Sequence, residues 1–264
     1  MIDLHSHIIP TVDDGSKSIE ETFNLIKEAQ RAGFDKIVCT SHYMEGYYEA
    51  NRKERETWVN ALNDALVKEN IKVKLYLGTE TYFTEDIMDL LEDEKATTIN
   101  DSSYILFETA LNSKPLSLQD VIFKMQKYKL IPIFAHPERY SYIQQNPELL
   151  YELFRMGVLF QVNYGSILGQ YGEKAKLIVT KMFKANMVHF IGTDVHRQKT
   201  VYEKVPYALQ EIEKIIDAAK IDELVNVNPE LVLNNKKVDV SEPLEMKFNF
   251  LEKRILSKNE KNVK

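Results

Sequence analysis

Nine histidine and acidic side chains recur at, or just beyond, the ends of segments that have the composition of β-strands. They include five of the six histidines in the chain. These residues are His5, His7, Asp14, His42, Glu80, Glu108, His136, Asp194 and His196. Imidazole and carboxylate groups beside apolar segments are costly to bury unless they are paired or bind a metal ion. The pattern therefore predicts a polynuclear metal site and, with it, a hydrolase.

The spacing within this set supports the same interpretation. Side chains two residues apart on a strand point to the same side, so His5 and His7 could bind one ion together. Asp194 and His196 form a second pair with this spacing. A single His-x-His pair is weak evidence, because two histidines in a loop would explain it equally simply. It is the joint pattern of nine residues that favours a metal site.

The ligand types limit the identity of the ion. Imidazole and carboxylate ligands without thiolate suit Mn²⁺, Fe or Zn²⁺, and Mg²⁺ remains an alternative. A carboxylate that bridges two ions, a role open to Glu80 or Glu108, would hold them about 3.5–4 Å apart, which is the spacing used for hydrolysis.

Short β-rich segments alternate with segments of helical period along the chain. The predicted strands span residues 2–5, 36–40, 73–77, 104–108, 131–135, 159–163 and 188–192. Seven strand–helix units indicate parallel strands with helices outside them. The candidate ligands follow six of the seven strands, as in a barrel, whereas an open sheet would concentrate its site at one switch point. We therefore expect an α/β fold, a distorted barrel of seven β/α units.

Bulk properties narrow the class of protein. The net charge of −6 argues against a nucleic-acid partner. The single cysteine, Cys39, excludes an internal disulfide and a cysteine-ligated zinc cluster. Without an apolar run long enough to span a membrane, or a signal peptide, we expect a cytoplasmic protein. Residues 1–235 are expected to form one domain, and residues 236–264 an extension with a charged, partly disordered tail; the oligomeric state stays open.

Several motifs carry a resemblance to a known family. They are His5-Ser6-His7, Val12-Asp13-Asp14-Gly15, Thr40-Ser41-His42, Gly78-Thr79-Glu80, His136-Pro137-Glu138-Arg139, Gly192-Thr193-Asp194-Val195-His196 and Asn228-Pro229-Glu230-Leu231. Together they resemble the PHP (polymerase and histidinol phosphatase) superfamily. The similarity is greatest to its manganese-dependent protein-tyrosine phosphatases of bacterial capsule and exopolysaccharide clusters, the CpsB/CapC-like proteins. It runs from Met1 to about Asn235, and it implies a distorted barrel of seven units.

The resemblance also implies a three-ion cluster, with Mn²⁺ the expected metal. The first ion would bind His5, His7, Glu80 and Asp194, the second Glu80, Glu108 and His136, and the third Asp14, His42 and His196. Arg139 would clamp phosphate oxygens through its planar fork, although an ion pair with Glu138 or a helix cap is the structural alternative. Arg197 is a candidate for a second phosphate-binding arginine, without a secure counterpart in the family. Tyr43 is a candidate for the entrance.

The resemblance implies a phosphoric monoester hydrolase. Phosphotyrosine would be hydrolysed by metal-activated water, with Arg139, His42 and His196 in the catalytic site. The expected partner is the phosphotyrosine tail of a membrane-associated bacterial tyrosine kinase that regulates capsule or exopolysaccharide synthesis. Two alternatives stay open: a small-molecule phosphoesterase such as a histidinol phosphatase, and a non-catalytic module that binds metal only for stability or docking.

Overall fold

Parallel β-strands surrounded by helices make up the computed structural model, which describes residues 1–258. The strands are β1 Ile2–Ser6, β2 Lys36–Cys39, β3 His42–Tyr43, β4 Lys74–Leu77, β5 Glu80–Tyr82, β6 Tyr104–Glu108, β7 Ile131–Ala135, β8 Leu159–Asn163 and β9 Phe190–Gly192. Only two residues separate β2 from β3, and two separate β4 from β5. Each of these pairs therefore continues one strand direction, which leaves the seven strand positions that the sequence predicts.

The strands close into a barrel. Their orders are β1-β2-β4 and β3-β5-β6-β7-β8-β9, and every pairing is parallel. The segment after β9 then meets β1. The His7 N–H donates to the Val195 carbonyl at 3.0 Å, and the Asp194 N–H donates to the His5 carbonyl at 2.9 Å. The predicted α/β class and distorted seven-unit barrel are confirmed.

Helices cover the outside of the barrel. They are α1 Ile19–Arg31, α2 Arg52–Lys68, α3 Ile87–Glu92, α4 Leu118–Lys127, α5 Ser141–Gln145, α6 Glu148–Arg155, α7 Tyr164–Ile167, α8 Gly172–Lys184, α9 Val205–Glu213, α10 Ala218–Asp222, α11 Asn228–Leu233 and α12 Phe250–Ser257. Local sequence sets their ends: Ser18 caps α1 by accepting from the Glu21 N–H at 3.1 Å, and Gly33 takes φ +94° after its last turn. Within residues 1–258, no helix has the length and apolar character needed to cross a membrane.

Apolar side chains fill one end of the barrel and leave the other to polar groups. Leu4, Leu106 and Ile133 pack inside with Val232 and Leu233 of α11, which closes the end where the strands begin. A larger cluster fills the space between strands and helices. The carboxyl ends of the strands are therefore the only part of the barrel described here that carries clustered imidazole and carboxylate groups.

A bulge in β1 determines which of its side chains enter the barrel. Asp3 pairs with Ile37 but Ser6 pairs with Cys39, so three steps along β1 match two along β2. Strict alternation would send Asp3 and His5 to the same side. Instead the Asp3 carboxylate accepts from the Tyr202 hydroxyl at 2.9 Å, outside the strands, whereas His5 joins the polar cluster. The extra residue re-aims His5 and His7, a known use of bulges beside active sites.

The C-terminal extension folds back onto the barrel. The Tyr104 hydroxyl donates to the Lys236 carbonyl at 2.8 Å, and Tyr151 donates to the Leu244 carbonyl at 2.8 Å. The extension also contains a helix that the sequence did not predict, α12, where Asn249 and Glu252 form a capping box. Eight residues are too few to show a period clearly in the sequence. The remainder of the predicted disordered tail, 259–264, lies outside the described residues, and the division at residue 235 stays a prediction.

Candidate metal centre

The barrel brings all nine predicted ligand residues to the carboxyl ends of its strands. His5 and His7 come from β1 and its end, His42 from β3, Glu80 from β5 and Glu108 from the last position of β6. His136 follows β7 directly, Asp194 and His196 follow β9, and Asp14 lies in the turn between β1 and α1. Three groups of ligand atoms arise from this convergence.

The innermost group consists of His5, His7, Glu80 and Asp194. The Glu80 Oε2 atom lies 3.0 Å from His5 Nε2 and 3.2 Å from His7 Nε2. Asp194 Oδ1 lies 3.5 and 3.4 Å from the same two nitrogens. All four side chains are buried. Their ligand atoms thus surround one point, with the composition that the family resemblance implies for a first ion.

The second group differs in part from the expected set of Glu80, Glu108 and His136. The ligand atoms that come together here belong to His42, Glu80 and Glu108, and His42 Nδ1 lies 2.9 Å from Glu108 Oε1. His136 Nε2 lies 2.9 Å from Glu80 Oε1 but 3.9 Å from Glu108 Oε2. Glu80 Oε2 faces His5 and His7 and also lies 3.1 Å from His42, while Oε1 faces His136. Glu80 therefore contacts both groups, as a bridging carboxylate would.

The third group lies at the mouth of the barrel. It contains Asp14, His42 and His196, together with His7. Asp14 Oδ1 is 3.6 Å from His42 Nε2 and 3.3 Å from His196 Nε2. The side chain of Asp14 is half exposed, and those of both outer histidines are partly exposed. Solvent and substrate can reach this group, whereas the innermost group is enclosed.

The arrangement fits bound metal ions better than hydrogen bonds within the protein. The fully buried Glu80 Oε2 atom has no hydrogen-bond partner among the described residues. His5 Nε2 and His7 Nε2 approach each other to 3.1 Å, although both face the same carboxylates. Burial by itself would raise the pKa of Glu80, but His5 and His42 outweigh it and hold that pKa well below its usual range. A divalent cation requires an ionised carboxylate of this kind, and it would displace the protons from the imidazoles that it binds.

Two side chains that the sequence did not single out hold the histidines in place. Asp13 Oδ2 lies 2.8 Å from His7 Nδ1, and it also accepts from the His42 N–H at 3.0 Å. Gln161 Oε1 lies 2.6 Å from His5 Nδ1. Such contacts turn the opposite ring nitrogen toward a metal. The available signals were an acidic residue beside Asp14 and a lone polar residue within the apolar strand β8.

Two candidate ligands have unusual backbone geometry. His136 has φ +35° and Asp194 has φ +51°, both in the left-handed region. Histidine and aspartate are among the non-glycine residues that enter this region most often, but they do so at a cost. Such strain is concentrated at functional sites. Here it lets each side chain turn from the end of its strand toward the cluster.

Arg139 pairs with Asp194, which corrects the expected structural alternative of a pair with Glu138. Its Nη1 donates to Asp194 Oδ2 at 2.7 Å, and its guanidinium stacks on Tyr171, 4.4 Å from the ring centroid. Glu138 is buried elsewhere and accepts from the Asn163 N–H at 3.0 Å. Arg139 lines a pocket of about 300 Å³ beside His196.

Arg197 lines the same pocket as Arg139, but other groups hold its side chain. Its Nη1 donates to the Gly15 carbonyl and lies 3.8 Å from Glu21 Oε2. The Arg197 side chain is 41% exposed. It could therefore leave these partners and turn toward an anion in the pocket at low cost.

Tyr43 does not line the entrance, contrary to expectation. Its side chain is 3% exposed and packs against Leu90 and Ala96, because it points away from the barrel interior that His42 faces. Tyr48 takes the expected place: its ring stacks on His42 at 5.8 Å with an interplanar angle of 19°. Sequence adjacency to a ligand misled the prediction, since neighbouring side chains on a strand face opposite sides.

Two further candidate groups lie apart from the cluster. Cys39 is buried, and burial raises the pKa of its thiol far above the usual range, so it is no nucleophile. His189 Nδ1 accepts from the Phe160 N–H at 3.0 Å, and burial lowers the pKa of His189 to about 3. It is a neutral core histidine that directly precedes β9, although the sequence predicted it inside that strand.

Comparisons with known proteins agree with the motifs. Residues 1–234 match the family described as capsular polysaccharide synthesis, CpsB/CapC. The tyrosine-protein phosphatase YwqE of Bacillus subtilis is 31% identical over 90% of this chain and 93% of its own. The tyrosine-protein phosphatase CpsB of Streptococcus pneumoniae is 30% identical over 90% of this chain and 100% of its own.

A solved structure gives the same result in three dimensions. It comes from work on YwqE of Bacillus subtilis and CpsB of Streptococcus pneumoniae, described as unique metal-dependent tyrosine phosphatases. The TM-score is 0.86 at 30% identity, and the match covers 93% of this chain and 100% of that chain. The chain belongs to the CpsB/CapC family of capsular polysaccharide synthesis proteins.

Proposed function

We propose that the protein is a metal-dependent protein-tyrosine phosphatase, a phosphoric monoester hydrolase. The observation that carries the proposal is the convergence of nine imidazole and carboxylate side chains around Glu80, whose buried Oε2 atom lacks a hydrogen-bond partner within residues 1–258. The relatives that cover nearly the whole chain are tyrosine-protein phosphatases by name. The catalytic unit is proposed to span residues 1–235.

The proposed ligands divide by depth in the barrel. His5, His7, Glu80 and Asp194 would hold the inner ion, and Asp14, His42 and His196 the one at the mouth. Glu80, Glu108 and His136 would hold the ion between them, with His42 close enough to contribute. Mn²⁺ is the proposed metal, with Fe, Zn²⁺ or Mg²⁺ as alternatives that the same donor atoms accept.

A bound metal ion would supply the nucleophile, because metal coordination lowers the pKa of water from 15.7 to about 7. The side chains of the protein orient the reactants. Arg139 would bind equatorial phosphate oxygens, since its guanidinium is fixed between Asp194 and Tyr171 and carries further N–H donors. His42 and His196, the partly exposed histidines at the mouth, would lie nearest to the phosphorus. Asp13 and Gln161 keep His7 and His5 oriented throughout.

The mouth suits a phosphate on an aromatic side chain. Tyr48 stacks on His42 at one side, and Tyr171 lies beneath Arg139 at the other. Aromatic walls favour an aryl group between them. A small-molecule phosphoesterase such as a histidinol phosphatase would share the cluster and is the second candidate. A non-catalytic module is disfavoured, because mere stability would not require ligands that are open to solvent at the mouth.

The proposed partner is the phosphotyrosine tail of a membrane-associated bacterial tyrosine kinase that regulates capsule or exopolysaccharide synthesis. Two observations support this choice: membership of a capsular polysaccharide synthesis family, and a site that opens at the surface of the barrel. We also propose that the phosphatase acts in the cytoplasm. Arg197, beside Arg139 in the pocket, is proposed as a second phosphate contact.

A panel of substrates tests the proposal. Metal-loaded protein would be given a phosphotyrosine peptide, a phosphoserine peptide and histidinol phosphate, each with and without a chelator. We expect turnover of the phosphotyrosine peptide to exceed that of the others and to stop in chelator. Preference for histidinol phosphate would overturn the substrate, and full activity in chelator would overturn the mechanism.

A further inference from the structure

Basic and large apolar side chains share the outer face of α12. Phe250 is 80% exposed and Leu251 is 66% exposed. Arg254 and Lys258 are also exposed. Arg254 lies four positions after Phe250 and three after Leu251, so these three side chains share one side of the helix, and Lys258 directly follows its last residue, Ser257. We call this surface the α12 face.

Contacts on the opposite side of α12 fix this orientation. Leu256 packs against the main apolar core. The Glu252 carboxylate pairs with Lys181 of α8 at 2.8 Å, and Lys181 also donates to the Lys247 carbonyl at 2.6 Å. The capping box at Asn249 defines the first turn. Because these contacts hold α12 against the barrel, Phe250 and Leu251 face outward.

Positive charge is concentrated around this face although the whole chain carries −6. Within residues 244–258 the two acidic side chains are both paired, Glu252 with Lys181 at 2.8 Å and Glu245 with Lys247 at 3.5 Å. Lys184 of α8 lies close enough to influence Glu252. Besides Arg254 and Lys258 of the α12 face, the neighbouring basic side chains are Lys174, Lys184, Lys247 and Lys253.

We propose that the α12 face docks on a membrane surface that contains anionic phospholipid. An acidic protein partner would account for the basic residues but would leave two large exposed apolar side chains unexplained. A lipid interface accounts for both, because apolar side chains enter the boundary of headgroups and acyl chains while lysine and arginine bind lipid phosphates. The positive charge and the exposed apolar side chains together favour an anionic membrane over an acidic protein.

The position of α12 is compatible with an accessible active site. Its last turn, with Lys253, Leu256 and Ser257, borders a pocket shared with Gln145 of α5 and Lys174 near the start of α8. α5 follows β7 and the candidate ligand His136, whereas α8 follows β8, which carries none of the nine ligands; both helices cover the side of the barrel. A barrel docked through α12 would lie on its side, with its mouth open parallel to the membrane. The metal centre itself takes no part in the contact.

Vesicle sedimentation tests the proposal with the full chain. Binding would be measured to phosphatidylcholine vesicles with and without phosphatidylglycerol, at low and at high salt. We expect binding only to the anionic vesicles and weaker binding at high salt. The double variant Phe250→Ser, Arg254→Glu should lower the partition coefficient by at least about tenfold, since it removes a ring that would enter the lipid interface and reverses one charge.

A matched control changes the same residue types on another wall of the barrel. Phe123→Ser combined with Lys127→Glu alters an exposed ring and an exposed lysine of α4, and it should bind vesicles like the unaltered protein. Both double variants should hydrolyse a soluble phosphotyrosine peptide at the unaltered rate. The proposal is overturned if the full chain does not bind anionic vesicles, or if the α12 variant binds them as well as the control. It is also overturned if the full chain binds polyglutamate, used as a model of an acidic protein, but not the vesicles. These binding results do not depend on phosphatase activity.

Discussion

Glu80 is the residue on which the candidate site depends most. Its Oε2 atom lies 3.0 Å from His5, 3.2 Å from His7 and 3.1 Å from His42, and Oε1 lies 2.9 Å from His136. No other described carboxylate contacts so many of the histidines. Because the group is fully buried, an unpaired charge there would be expensive. Metal binding explains why four imidazoles surround it.

Replacing Gln161 by leucine tests whether orientation of His5 matters. The substitution keeps the volume but removes the acceptor 2.6 Å from His5 Nδ1. We expect metal affinity and turnover to fall by roughly 10–100-fold, the usual cost of removing an orienting partner. Gln119→Leu, on the exposed side of α4, is the matched control and should change neither. Equal metal affinity in the two variants would show that Gln161 has no orienting role.

The pKa of His5 predicts opposite pH dependences for stability and metal binding. Burial by itself would lower this pKa, but Glu80 and Asp194 outweigh it and raise it to about 9. Since the pKa of an unfolded histidine is about 6.5, the contribution to stability of the metal-free protein is complete below pH ~6.5 and is lost as the pH rises through ~9. Metal affinity rises over the same interval, because the metal needs a neutral imidazole.

Urea unfolding of the metal-free protein between these pH values measures the first effect, and metal titration measures the second. His189, with its pKa lowered to about 3, acts in the opposite sense, because its unfolded form loses a proton as the pH rises through about 6.5. The effect of His5 is therefore measured between pH ~8 and ~9, where His189 adds almost no slope. Stability of the metal-free protein that rises with pH in this interval would contradict the assignment of His5.

At the scale of elements, the turn after β1 joins two of the three ligand groups. Asp13 in this turn contacts His7, and Asp14 faces His42 and His196. Gly15 permits the close approach, because a Cβ atom there would lie 2.1 Å from the His7 carbonyl oxygen. This oxygen belongs to the backbone, so it cannot move aside without displacing the chain around His7.

Gly15→Ala should therefore displace the turn and reduce turnover by about 100-fold, the effect expected when catalytic groups move by about 1 Å. The control is Gly157→Ala after α6. It carries the cost of a positive φ, about 1 kcal/mol of stability, at a site far from the cluster. Phosphate release from a phosphotyrosine peptide and urea unfolding separate the two effects. Full activity in Gly15→Ala would mean that the turn is not part of the site.

Most of the strands and their arrangement could be predicted from the sequence, because the strands are apolar and end in polar residues. Apolar strands that run into histidine or carboxylate predicted both the barrel and the clustering of His5, Glu80 and His136. The bulge in β1 could not be predicted, since one extra residue in a strand leaves no mark in composition. Tyr43 was placed at the entrance by adjacency alone, and Gln161 was hidden within an apolar run.

At the scale of the whole molecule, metal binding should stabilise the fold. Ligands from six of the seven strand positions meet only in the native barrel, so the ions bind the folded state and not the unfolded chain. At a concentration 100 times the dissociation constant the gain is about 2.7 kcal/mol, which corresponds to roughly 5–10 °C in Tm for a chain of this size. Calorimetry with and without Mn²⁺ measures it, and Glu80→Gln should abolish most of the shift. An equal shift in that variant would place the stabilising ions elsewhere.

The metal content of active protein tests the central claim most directly. Elemental analysis would be made on purified protein that hydrolyses a phosphotyrosine peptide, before and after exhaustive chelation. The cluster predicts three transition-metal ions per chain in the active sample, with turnover and bound metal lost together and restored together by Mn²⁺. Active protein that contains no transition metal would contradict the claim.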